Sequence, residues 1–215
     1  MVRGWGLVIE TAGPSCQVGL LEDGQPVGGL VWDWPQQHSE RLIELVQNVL
    51  HTANLDWGAI RYAVYHQGPG SHTGLRIGLS AVKAWALSLG WAVYPVPLMR
   101  VLAWLGRKVA GSDWILGLWE TRGGQAYGQL WQGEKAVDSP GLHPLPVWEA
   151  QAPAEALVVG NGLLPRRRGL YVSYIRWPWL AACAAEVEPL QDPVAISAIT
   201  PLYFRPFVPT QRKNP

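Results

Sequence analysis

The most constraining feature of this chain is a glycine-rich stretch at residues 68–78, which reads GPGSHTGLRIG. It follows a strand-like run at 60–65 and leads into a helix-like run at 75–89. Glycine lets the backbone turn tightly between a strand and a helix, while Ser71 and Thr73 can accept bonds from the free N–H groups at the helix start. The stretch therefore predicts a strand–loop–helix unit of an α/β protein.

The same loop invites comparison with a phosphate-binding site, because exposed amides at a helix start can bind an anion. No lysine follows the glycines as in a Walker motif, and the loop has no acidic residue that could hold Mg²⁺ beside a nucleotide. A tight turn with a capped helix is therefore the favoured interpretation. The residues of this motif loop are Gly68, Pro69, Gly70, Ser71, Thr73 and Gly74.

Hydrophobic periodicity in the first half predicts the element order βββαβα, with a hairpin turn at Asp23-Gly24 and a helix cap at Ser39. The second half repeats the strand pattern more faintly, which indicates an internal duplication and two related halves. Predicted strands cover 7–10, 16–21, 27–32, 60–65, 114–118, 125–131, 156–159 and 202–205, and predicted helices cover 39–50, 75–89 and 179–187.

Charge and cysteine content exclude several function classes. The 17 Lys and Arg against 16 Asp and Glu leave a net charge of +1, so stable tRNA binding by this chain alone is not indicated. Cys16 and Cys183 have no zinc-type spacing and are expected to be buried, reduced thiols. No apolar run reaches membrane-spanning length and no signal core follows Met1, so a cytoplasmic protein without a membrane partner is expected.

The stretch at 68–78 resembles the G-P-G-S-[FH]-T-G-[LV]-R-I-G signature of the TsaB (YeaZ) family. Flanking segments at 9–12, 38–42 and 201–205 agree with that family in order. The resemblance implies an actin-like (ASKHA, ribonuclease H-like) fold of two βββαβα-type halves with the second reduced. We expect an N-terminal lobe at 1–105, a smaller C-terminal lobe at 106–209 and a disordered tail at 210–215.

The resemblance also implies a function. The chain would be a non-catalytic subunit that pairs with the transferase TsaD in forming N6-threonylcarbamoyladenosine at adenosine 37 of tRNA. It would need no cofactor of its own, with ATP and a metal held by partner subunits, and the ATPase TsaE would join a ternary complex. tRNA would be met only through the complex, and a homodimer could form when TsaD is absent.

In this family the first two helices pack against the equivalent helices of TsaD. The helix predicted at 75–89 suits such a contact, because many of its residues are small and it carries few charges. The partner-binding surface predicted from these two helices consists of Leu42, Ile43, Val46, Arg76, Leu79 and Lys83.

Two enzymatic alternatives stay open. A free-standing actin-like ATPase or small-molecule kinase would use Glu10, Thr11 and Glu120 in a nucleotide cleft, because carboxylates can orient Mg²⁺ beside a phosphate. A metallopeptidase would need paired metal ligands, yet the five histidines show no i, i+4 pair. The run of arginines at 166–168 is interpreted as a solvated surface patch rather than a tRNA contact.

Overall fold

The computed structural model describes residues 1–33, 38–121 and 123–203, with only the backbone described at 38–40. The first half forms a five-stranded sheet in the order β3-β2-β1-β4-β5. The predicted order βββαβα is confirmed, and β5 follows as an element that the sequence reading missed. These elements are β1 (Trp5–Glu10), β2 (Cys16–Glu22), β3 (Gln25–Trp32), α1 (His38–Thr52), β4 (Ile60–Gly68), α2 (His72–Leu89) and β5 (Ala92–Pro97).

The second half forms a sheet in the order β11-β10-β6-β7-β8, in which β9 also pairs with β7. Its elements and those around it are α3 (Leu98–Lys108), β6 (Trp114–Thr121), β7 (Gln125–Gln132), β8 (Lys135–Ala136), β9 (Gly141–Pro144), α4 (Leu145–Gln151), β10 (Leu157–Gly160), β11 (Gly169–Tyr171), α5 (Trp177–Ala184) and α6 (Pro193–Ala198).

The two sheets share one topology. In the first half, β1 forms an antiparallel hairpin with β2 and pairs in parallel with β4, which pairs in parallel with β5. In the second half, β6 forms an antiparallel hairpin with β7 and pairs in parallel with β10, which pairs in parallel with β11. The helix between β4 and β5 has no counterpart, since residues 161–168 join β10 to β11 without a helix. The prediction of two related halves with the second reduced is confirmed.

Helices cover both faces of the first sheet, which explains why β1 is buried along nearly all its length. Side chains of α1 and α2 pack on one face, and side chains of α3 and α5 pack on the other. The helix α3 also packs against β6 and β10, so it lies between the two sheets. After β11 the chain returns to the first sheet through α5 and α6. The boundary near residue 105 stays a prediction.

Several local predictions meet different outcomes. The turn at Asp23-Gly24 is confirmed, with φ of 49° and 82° at the two residues. No strand forms at Leu202 or Tyr203, so the closing strand is wrong as far as the described residues reach. The side chain of Ser39, residues 204 and 205 of the family segment, and the tail at 210–215 lie outside the described residues.

Both cysteines are buried and unpaired, as predicted. Burial raises the pKa of Cys16 to about 12, and the nearby charge of Glu10 acts in the same direction. Burial likewise raises the pKa of Cys183. Both sulfur atoms therefore stay protonated thiols at neutral pH. Among the described residues, the helices are too short or too polar for any of them to cross a bilayer.

Candidate functional site

The motif loop is a close-packed joint between β4 and α2. Gly68 has φ of +105°, a conformation that favours glycine. A Cβ added to Gly74 would lie 1.8 Å from the carbonyl oxygen of Thr11, and one added to Gly70 would lie 2.8 Å from that of Ala12. The glycines therefore let the start of α2 approach the backbone that follows β1.

Hydrogen bonds fasten this joint from both sides. The side-chain oxygen of Ser71 accepts from the Gly74 N–H at 3.2 Å and caps α2, while the Ser71 N–H donates to the Ala12 carbonyl at 2.9 Å. The Thr11 hydroxyl donates to the Gly74 carbonyl at 2.7 Å. The Thr73 side chain is exposed. Ser71 thus caps the helix as predicted, whereas no described hydrogen bond gives Thr73 that role.

Glu10 ends β1 inside the protein and is fully buried. Its Oε1 accepts from the N–H groups of Ala12 and Gly13 at 2.7 and 2.9 Å. Its Oε2 lies 2.5 Å from Nδ1 of His66, which is itself only 5% exposed. The sequence reading named Glu10 but missed His66, since no spacing pattern links residues 56 positions apart.

The residues of the predicted nucleotide cleft lie in different surroundings. Glu10 is buried against His66, and Thr11 bonds to the start of α2. Glu120 is exposed at the end of β6, where its N–H donates to Oδ1 of Asn161 at 2.6 Å. No described contact joins these three side chains. Among the described residues, no group of three or more His, Cys, Asp or Glu is placed to hold a metal ion.

A C-terminal segment lies along α2, a contact that the sequence analysis did not predict. The Lys83 ammonium donates to the Ser197 carbonyl of α6 at 2.6 Å. Further along, Nε of Arg76 donates to the hydroxyl of Tyr203 at 3.1 Å, and the Tyr203 ring stacks on His72 with centroids 4.3 Å apart. Arg76 and Lys83 are therefore engaged by their own chain.

The predicted partner-binding surface needs a correction. Leu42, Val46 and Leu79 are only 1, 0 and 6% exposed, and they pack in the core between the first sheet and the helices α1 and α2. An amphipathic helix turns its most apolar stripe to the core, so helical periodicity had identified the inner face. Ile43 differs from these three, because it is 52% exposed on α1.

The outer face of the C-terminal half of α2 carries uncharged residues, three of them small and one, Leu87, large and apolar. Their spacing of i, i+4, i+7 and i+8 places them on one side of the helix. We call this surface the outward stripe, and its members are Ser80, Ala84, Leu87 and Ser88, all exposed. Small side chains allow another helix to approach closely. The outward stripe therefore has the shape of a helix-packing surface.

Comparison with known proteins gives a consistent picture. The family model described as TsaD, tRNA N6-adenosine threonylcarbamoyltransferase, matches residues 25–113. The tRNA threonylcarbamoyladenosine biosynthesis protein TsaB of Escherichia coli is 30% identical over 166 residues, which cover 73% of this chain and 71% of that protein. The Bacillus subtilis protein of the same name is 29% identical over 126 residues, covering 59% and 54%.

Among solved structures, YeaZ from Pseudomonas aeruginosa superposes with a TM-score of 0.74 at 22% identity, covering 94% of this chain and 100% of that chain. At this identity the likeness concerns the fold. Together with the repeated topology of the two sheets, it confirms the predicted actin-like architecture.

Proposed function

This chain belongs to the TsaB family, and from that membership we propose that it is a non-catalytic subunit for making N6-threonylcarbamoyladenosine in tRNA. Its proposed role is to bind the transferase TsaD and to stabilise its active arrangement. The observation that carries this proposal is the outward stripe of α2, which is exposed, uncharged and, apart from Leu87, low in bulk. Its small residues allow a second helix to approach closely, and Leu87 offers that helix an apolar contact.

The match of residues 25–113 to the TsaD family model supports pairing between this chain and a TsaD protein that shares its fold. Two chains that share a fold can pair through equivalent surfaces around an approximate two-fold axis. Helices equivalent to α1 and α2 would then meet across the interface. We propose that Ile43 and the outward stripe form this chain's share of it, in place of the buried Leu42, Val46 and Leu79.

The internal bonding at the motif loop supports a non-catalytic role. A kinase or ATPase needs carboxylate and hydroxyl oxygens that face a nucleotide and its metal. Here Glu10 and Thr11 direct those oxygens at the protein's own backbone and at His66. We therefore place the ATP and metal of the reaction on partner subunits.

The remaining partner assignments follow the same proposal. TsaE would join the pair as a third component, tRNA would be bound only through the complex, and the location would be cytoplasmic. A homodimer through the outward stripe would form when TsaD is absent, because the same helices would be available to a second copy.

Reconstitution tests this function directly. Purified TsaD, TsaE and the threonylcarbamoyl-adenylate synthase of the same organism are incubated with tRNA, with or without this chain, and modified nucleosides are quantified. We expect modification only when the chain is present, and none from the chain alone. Full modification without the chain would contradict the proposed role, and modification by the chain alone would contradict its being non-catalytic.

A further inference from the structure

A buried Glu10–His66 pair lies where β1 and β4 end side by side. The Oε2–Nδ1 distance is 2.5 Å, and the two residues are 0 and 5% exposed. Glu10 also accepts from two backbone N–H groups through Oε1. A carboxylate removed from water is retained only when its oxygens find such partners. The pair is therefore a specific arrangement and not a surface contact.

The proton positions follow from the partners. Nε2 of His66 is buried and has no hydrogen-bond partner among the described residues. A neutral imidazole that donates from Nδ1 to Glu10 leaves only a lone pair at Nε2, whereas an imidazolium would bury an unmatched N–H. The arrangement consequently fits an ionised Glu10 beside a neutral His66 with its proton on Nδ1.

Carboxylate–histidine pairs of this kind serve as general bases in some enzymes, where the second ring nitrogen meets the substrate. Here that nitrogen is enclosed, so in this conformation it reaches no solvent-borne substrate. Glu10 instead accepts hydrogen bonds from the backbone. The pair therefore fixes the position of the backbone turn at residues 11–13.

The anchored turn is the one that holds the motif loop. Glu10 bonds the Ala12 N–H, and the Ala12 carbonyl accepts from the Ser71 N–H at 2.9 Å. Thr11, between them, donates to the Gly74 carbonyl. We propose that Glu10 and His66 are positioning residues, which set the turn at residues 11–13 and through it the motif loop and the start of α2.

Amide hydrogen exchange by NMR on the isolated chain tests this. In His66→Ala we expect the amides of Ser71 and Gly74 to exchange at least tenfold faster than in wild type, although the described hydrogen bonds of His66 include neither residue. His66→Gln, which restores a donor, should recover most of the protection. The matched control is Glu186→Gln, which removes the charge from a separate ion pair with Arg107 and should leave both amides unchanged.

Wild-type rates at Ser71 and Gly74 in a folded His66→Ala protein would overturn the proposal. If that variant does not fold, Glu10→Gln serves instead. Its amide oxygen can still accept from Ala12 and Gly13, which favours folding, but it loses the carboxylate oxygen that pairs with Nδ1 of His66. Faster exchange at Ser71 and Gly74 is again expected, and wild-type rates would overturn the proposal. The ¹⁵N signals of wild-type His66 give an independent reading. We expect the neutral Nδ1–H tautomer, and an Nε2–H tautomer would contradict the pair.

A consequence for docking rests on the proposed function. The folded His66→Ala protein should bind TsaD at least tenfold more weakly than wild type, because α2 would no longer be held in one position. The amide exchange rates of Ser71 and Gly74 test the positioning role independently of TsaD binding. Absence of TsaD binding by wild type would contradict the proposed function and leave the exchange result standing.

Discussion

The two halves of this protein differ most at the crossover between their last two parallel strands. In the first half, β4 and β5 are joined by the motif loop and the 18-residue helix α2. In the second half, β10 and β11 are joined by residues 161–168 without a helix. The strand pairing on either side is the same in both halves.

Both crossovers begin with the same kind of glycine joint. Gly68 and Gly160 are the last residues of β4 and β10, with φ of +105° and +142°. A Cβ on Gly160 would lie 1.7 Å from the Leu118 carbonyl oxygen, much as one on Gly74 would lie 1.8 Å from that of Thr11. The glycine joint is therefore a feature of both halves, whereas the outward stripe lies on a helix that only the first half has.

The largest effect is expected at the joint of the first half. Gly74→Ala should lower the free energy of unfolding by about 3 kcal/mol, because the new methyl group meets the backbone of Thr11. Helix propensity alone predicts the opposite sign, a gain of about 1 kcal/mol. Urea denaturation measures the difference.

Gly162→Ala is the matched control from the second half. Its Cβ would meet atoms of Glu120 no closer than 3.4 Å, an ordinary contact. We expect a change within about 0.5 kcal/mol. Equal losses from the two substitutions would contradict the assignment of the loss at Gly74 to the close contact with Thr11.

In the second crossover, Arg167 stabilises the loop that stands in place of a helix. Its guanidinium donates to the carbonyls of Glu149, Ala152 and Pro153, near the end of α4. Arg167→Ala should cost about 2 kcal/mol, because charged hydrogen bonds to carbonyls at a helix end are lost. The exposed Arg168 is the control, and Arg168→Ala should leave the urea midpoint unchanged.

Alkaline pH should weaken the folded protein. Burial raises the pKa of Cys16 and that of Tyr62 to about 12 each. A raised pKa means that the folded state keeps its proton while the unfolded chain loses it. Stability is then full below about pH 9 and falls as pH rises towards 12.

We expect the Cys16 thiol alone to contribute a loss on the order of 1 kcal/mol by pH 10, measured by urea denaturation across a pH series. In Cys16→Ala, the free energy of unfolding should fall less steeply between pH 9 and 10 than in wild type, whatever the substitution does to stability at pH 7. An unchanged slope in that variant would contradict the assignment to this thiol.

The smallest effect concerns the segment along α2. Tyr203→Phe removes the hydroxyl that accepts from Arg76 but keeps the ring that stacks on His72. An exposed bond of this kind contributes little, so a loss of about 0.5 kcal/mol is expected from thermal unfolding. Tyr203→Ala should cost more, and equal losses would show that the ring stack contributes nothing.

Much of the fold could be predicted because local signals and tertiary structure agree. Strand and helix periodicity predicted the elements from β1 to α2 in their correct order, and the glycines marked the joint before α2. The missed helix α6 shows the limit of such signals. Asp and Pro are residue types typical of loops, yet Asp192 caps α6 through the Ala195 N–H and Pro193 occupies its first turn.

The candidate site was harder to predict for physical reasons. Periodicity locates the apolar stripe of a helix, and a stripe such as that of Leu42 and Leu79 faces the core whenever the helix covers its own sheet. The proposed docking surface on the opposite face carries Ile43 and Leu87 as large apolar residues, and two isolated residues do not produce a helical periodicity. The Glu10–His66 pair depends on two strands lying side by side, and spacing along the chain does not report that contact.

Light scattering on this chain mixed with the TsaD of the same organism tests the central claim most directly. Wild type should form a one-to-one complex, and Ala84→Arg, which places a long charged side chain in the outward stripe, should abolish it without unfolding the protein. Val109→Arg, at a site that is 63% exposed beyond α3, should bind as wild type does. A full complex with Ala84→Arg would contradict the account.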